Sequence, residues 1–145
     1  MTQTPITDQT QTETPAPQVW PTLRANDARA LIRFLVDVVG FTEVAVYGDG
    51  ERVDHAELAW PLGGGVMLGS VRDSDIEPSA TAPGKFGAYV VADDIDALHR
   101  RVAAAGATIT RPPEDTDYGS RAFAIKDPEG NRWSFGTYRG APRPA

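Results

Sequence analysis

The chain has 145 residues, 41% of them apolar, enough for one domain with a real core and little more. Its formal net charge of −6 repels phosphate backbones and argues against nucleic acid as a partner. The absence of cysteine excludes disulfides and thiolate chemistry, and no apolar run is long enough to span a bilayer.

Residues 1–18 are polar and rich in Thr, Gln and Pro. They read as a disordered tail and not as a signal peptide, which places the chain in the cytoplasm. Residues 19–25 (VWPTLRA) alternate as a strand, with Leu23 and Ala25 on one face and Trp20, Thr22 and Arg24 on the other. Pro21 removes a ladder donor, so this strand is expected at a sheet edge or with an irregular start. Asn26 or Asp27 caps a helix, DARALIRFLVDVV, whose Ala30, Leu31, Phe34, Leu35 and Val38 recur at helical spacing. Gly40 ends it. Strands follow at residues 42–47, 53–60 and 66–69, separated by a GDG turn and a PLGGG segment.

Residues 71–84 are polar, contain two prolines and read as a linker. The order then repeats. A strand at 85–92 leads to Asp93 or Asp94, which caps the helix IDALHRRVAAA, and Gly106 closes it. Strands are expected at 107–110, 120–126 and 132–138, the last two joined by a DPEGN turn, before a flexible tail from Gly140.

The halves match at a constant offset of 67 residues. Asp27, Ala30, Leu31 and Arg33 correspond to Asp94, Ala97, Leu98 and Arg100, and Pro61 and Gly63 correspond to Pro128 and Gly130. Two distant sets of matches with one offset indicate an internal duplication. One helix covers only one face of a four-stranded sheet, so the other face must meet a second sheet or line a cavity. The expected fold is therefore α+β: two tandem βαβββ units, 19–70 and 85–139, forming a curved mixed sheet around a cleft with the helices outside.

Strand alternation puts Trp20, Arg24, His55, Glu57, Met67, Tyr89 and Ser134 on the face away from the helices, as candidate ligand-binding residues. An apolar and aromatic set with one base, one acid and one imidazole suits a small organic molecule. His55 and Glu57 are two apart on a strand and share a face. Glu57 could orient His55 as a general base, both could help ligate a metal, or the pair could simply close a polar rim. Arg24 could clamp an anionic group or pair with Glu57. Trp20 and Tyr89 are candidate stacking platforms. His99, beside Arg100 and Arg101, reads as part of a solvated basic face. Tyr118 and Arg121 flank the entry to the seventh strand. No GxSxG elbow, phosphate loop or HExxH motif is present.

The paired openings NDARALIRFLVDVVGF and DDIDALHRRVAAAGA, with YGSRAFAIKDPEGNRWSFGTY, resemble the vicinal oxygen chelate superfamily of glyoxalase I, bleomycin-resistance proteins and extradiol dioxygenases. Metal-dependent members take ligands from the first and fourth strands of each unit. The resemblance puts Trp20, Met67, Gly87 and Ser134 at those positions, and none is a usual ligand for a hard or borderline cation. No cofactor or metal is therefore expected. What the resemblance implies is a metal-free homodimer that binds a small organic molecule, with antibiotics among the candidates. The alternative is a lyase, isomerase or metal-dependent enzyme that uses His55 and Glu57.

Overall fold

The computed structural model describes residues 15–72 and 82–144. Most of the expected N-terminal tail (1–14) and the middle of the expected linker (73–81) lie outside the described residues.

The first unit runs β1 (Thr22–Ala25), α1 (Ala28–Arg33), a π-helical continuation (Phe34–Val39), β2 (Thr42–Asp49), β3 (Arg52–Ala59) and β4 (Gly65–Ser70). The second runs β5 (Gly87–Val91), α2 (Ile95–Ala104), β6 (Thr108–Asp115), β7 (Arg121–Lys126) and β8 (Arg132–Gly136). Each unit makes its own four-stranded mixed sheet, in the orders β1-β4-β3-β2 and β5-β8-β7-β6.

The duplication extends to the register. Thr22 pairs with Met67 and Tyr89 with Ser134; Arg24 pairs with Gly69 and Val91 with Gly136. Glu57 opposite Met67 is likewise repeated as Ala124 opposite Ser134. In every case both members move by the same 67 positions.

The repeat breaks at the first helix, and the cause is visible in the sequence. Asp27 and Asp94 cap their helices by accepting from Ala30 N and Ala97 N, but Gly40 and Gly106 are only 66 apart. The first helix therefore holds one extra residue. It accommodates this by widening: Gly40 N donates to Leu35 O, a five-residue closure, where a regular α-helical turn would be expected. Gly40 then turns the chain at φ 113°.

Pro21 behaves as a strand-initiating proline on an edge. It has no N–H to offer, but its carbonyl accepts from Met67 N, and β1 begins three residues later than the alternation alone suggested. β6 continues through Pro112 and Pro113 to Asp115, well past the expected end at Thr110. It is also an edge strand, where a missing donor that faces outward costs no ladder bond, and the register shifts across the two prolines.

The two units share a single core. Leu31 and Leu35 from the first helix, Val102 from α2, and Phe123, Trp133 and Phe135 from the second sheet are all fully buried in it. Burial of side chains this size contributes roughly 1.5–3 kcal/mol each. Phe41 packs on Trp133 with ring centroids 5.7 Å apart, joining the units through aromatic contact. His99 differs from expectation. Its ring packs edge-on against Phe123 at 5.4 Å, so it belongs to the half-buried flank of α2 and not to the solvated basic face.

Candidate functional site

On the first sheet, alternation sends Leu23, Ala25, Ala56, Leu58, Val66 and Leu68 into the core. Arg24, His55, Glu57 and Met67 are left half-buried on the opposite, open face. His55 Nε2 lies 2.9 Å from Glu57 Oε2, and the Tyr47 ring stacks on His55 at 6.3 Å with the planes 16° apart. Trp20 donates its indole N–H to Pro17 O, and its ring lies over Gly65, where a Cβ would come within 2.9 Å. Arg24 crosses Gly69 in the same way, its guanidinium 3.1 Å from where a Cβ would stand. Five of the seven candidates thus come together on one sheet.

The other two, Tyr89 and Ser134, are register partners on the open face of the second sheet. Tyr89 lies over Gly136, so close that a Cβ there would fall 2.5 Å from the hydroxyl oxygen. That hydroxyl donates to Tyr138 O at 2.7 Å, and Tyr138 meets Tyr118 edge-on at 5.7 Å. Burial, reinforced by the nearby Tyr118 phenol, pushes the Tyr89 pKa above that of a free tyrosine. Arg121 has a structural duty: its guanidinium binds Asp96 on α2 and Asp115 on β6. Hydrogen bonds from Arg121 hold the Asp96 carboxyl below the usual carboxylate range.

A third feature was not anticipated. Where the β3–β4 turn of the first unit meets β5 of the second, a cavity of about 550 Å³ opens. Phe41, Trp60 and Trp133 form aromatic wall, Gly63 and Gly64 leave its turn side bare, and Leu62 and Arg139 stand on its lining. Trp60 closes one end by donating its indole N–H to Val91 O at 2.7 Å. Of the seven sequence candidates only Tyr89 lines it. The available signal was the glycine run at 63–65, where the equivalent turn of the second unit carries Gly130, Asn131 and Arg132.

The four positions to which the resemblance assigns metal ligands can be compared with these contacts. Trp20 offers a ring and an N–H already committed to Pro17, Met67 a thioether, Gly87 nothing, and Ser134 one hydroxyl. This donor set does not fit a divalent cation that wants imidazole or carboxylate. Among the described residues, no group of three or more His, Cys, Asp or Glu side chains is arranged to hold a metal ion elsewhere. No helix among them is long and apolar enough to cross a membrane.

Comparison with known proteins agrees with this architecture. The profile of the Glyoxalase/Bleomycin resistance protein/Dioxygenase superfamily matches residues 18–135. An uncharacterized protein of Mycobacterium bovis is 30% identical over 126 residues, which cover 83% of this chain and 82% of that protein. Among solved structures, TioX from Micromonospora sp. ML1 superposes with a TM-score of 0.69 at 27% identity, over 89% of this chain and all of TioX. TnmS3, an antibiotic binding protein from Streptomyces sp. CB03234, superposes with a TM-score of 0.63 at 25% identity, over 85% of this chain and 97% of its own.

Proposed function

This chain belongs to the Glyoxalase/Bleomycin resistance protein/Dioxygenase superfamily, and from that membership we propose that it binds a small organic molecule, an antibiotic among the candidates, without a metal. The observation that carries this reading is the common construction of the two open faces. At the repeat-equivalent glycines the missing Cβ leaves room for a neighbouring side chain, the Arg24 guanidinium at Gly69 and the Tyr89 phenol at Gly136. Losing the Cβ lets a planar side chain lie along the sheet, and its upper surface is then a stacking floor for a flat ligand. Trp20 and Met67 add apolar surface, Ser134 a small polar group, and Arg24 a guanidinium suited to an anionic substituent. One such face is half of a cleft, so the second wall is assigned to a partner copy in a homodimer. TnmS3, described as an antibiotic binding protein, lends the ligand class its support. A cytoplasmic location is part of the same proposal.

A second reading rests on the 2.9 Å contact between His55 and Glu57. If Nε2 carries the proton given to Glu57, Nδ1 keeps a lone pair and can accept a proton from a bound substrate, as a lyase or isomerase needs.

Calorimetric titration with aromatic natural products, followed by recovery of the ligand, separates the two. Binding is expected to return the molecule unchanged and to weaken by about tenfold or more in Tyr89→Ala or Arg24→Ala. A chemically altered product formed in many turnovers, and lost in His55→Ala, would replace the binding reading with the enzymatic one. Stoichiometric metal lost in a His55→Ala/Glu57→Ala variant would do the same for a metalloenzyme.

A further inference from the structure

The pseudo-twofold relation between the units creates two junctions, and they are built differently. At one, the turn 127–131 of the second unit meets the start of α1. There Glu129 accepts from Asn26 N and Asp27 N, and the buried Asp127 accepts from Trp133 Nε1 and Asn131 Nδ2. That junction is filled and cross-linked by polar groups. At the other, the equivalent positions hold Trp60 for Asp127, Leu62 for Glu129 and Gly64 for Asn131. The polar stitching is gone, and the 550 Å³ cavity stands in its place.

Its emptiness has a local cause. Gly63 and Gly64 take φ values of 120° and 78°, and a Cβ on either would meet nothing within 4 Å. Those backbone conformations favour glycine, so the turn that creates the space also keeps side chains out of it. The remaining walls are apolar and aromatic, and the volume lies within the roughly 300–1,000 Å³ typical of small-molecule pockets. The polar side chains on the lining each have a partner within the protein. Trp60 Nε1 is bound to Val91 O, the Tyr89 hydroxyl to Tyr138 O, and the Arg139 guanidinium to the Asp93 carboxylate. A charged ligand would lose hydration here and find no free counter-charge among them.

We propose that the cavity between the 60–65 turn and β5 is a binding site for an uncharged aromatic small molecule, separate from the open sheet faces. The ligand packs against Trp60 and Ala88, over a floor that the buried Phe41 and Trp133 support from behind, and Leu62 covers its outer side. The site goes beyond the binding function assigned to the open faces and stands independently of it, although Tyr89 borders both.

The test uses the full chain and Nile red, an uncharged aromatic dye whose emission shifts to the blue in apolar surroundings. Saturable binding is expected, weakened by about tenfold or more in Leu62→Asp, which puts a charge on a half-exposed wall residue. Ala88→Phe, which fills the cavity from β5, is expected to do the same, and Leu62→Asp alone decides if that variant does not fold. Absence of saturable binding overturns the proposal, as does binding unaffected by Leu62→Asp. Loss of the dye in Met67→Glu with retention in Leu62→Asp would assign it to the open face and likewise overturn the cavity site, while leaving the open-face reading intact.

Discussion

The carboxylate of Glu129 accepts the main-chain N–H of Asp27 at 2.8 Å, so a turn of the second repeat caps the first helix of the first. Its other oxygen takes Asn26 N at the same distance. Asp27 is the N-cap and Asn26 precedes it, so an anion more than 100 residues away in sequence sits at the positive end of the helix. Replacing Glu129 by Ala is expected to destabilise the chain by about 1 kcal/mol, with Gln recovering part of the loss. Thermal unfolding of the three proteins checks this, and equal midpoints would refute it.

Asp127 anchors the same turn from inside. Its carboxylate accepts from Glu129 N, Asn131 N, Asn131 Nδ2 and Trp133 Nε1, all within 3.0 Å. Asp127→Ala strands several buried donors at once, and a loss of about 3–5 kcal/mol is expected. Asp127→Asn retains one acceptor oxygen and should fall between. Denaturant titration gives both values; a loss in the alanine variant no larger than that of a surface substitution would contradict the assignment.

Gly136 and Tyr89 form a pair whose coupling is measurable. Gly136→Ala drives a methyl group into the phenol and breaks the hydrogen bond to Tyr138 O, at a cost of about 1–2 kcal/mol. In a Tyr89→Ala background the three closest contacts of that methyl, all with the phenol, are gone. A double-mutant cycle should therefore give a coupling energy of about 1 kcal/mol, with the glycine substitution almost harmless in the second background. Additive effects would mean that Tyr89 does not rest on Gly136 in solution.

Asp96 gives the chain a dependence on acid. Hydrogen bonds from Arg121 lower its pKa in the folded state below that of the unfolded chain. Its stabilising contribution is therefore present above the unfolded value, near pH 4, and is lost as pH falls through the folded one. The midpoint of thermal unfolding, followed from pH 6 to pH 2, should fall less steeply in Asp96→Asn than in the unmodified chain. Parallel curves would show that the Asp96–Arg121 pair contributes nothing to the acid limb.

What the sequence determined by itself is the repeated unit and the faces of its strands. Apolar periodicity, the Asp caps and the helix-ending glycines are local signals, and the 67-residue offset multiplied their information by making each half a check on the other. Alternation also put Arg24, His55, Glu57 and Met67 on the open face, because side-chain direction in a strand follows from position alone. The π-helical end of the first helix was half-visible, as a 66-residue spacing where 67 was due.

Only the tertiary structure decided how the units meet. The bonds from Trp60 to Val91 and from Asn26 and Asp27 to Glu129 join residues about 30 and 100 positions apart, and no periodicity reports them. The glycine run at 63–65 marked an unusual turn, but nothing in the sequence shows that it borders a cavity shared with the second unit. A cavity is a property of surfaces that converge from distant parts of the chain. Its volume depends on the angle and distance between two packed units, and those emerge only when both have folded against each other.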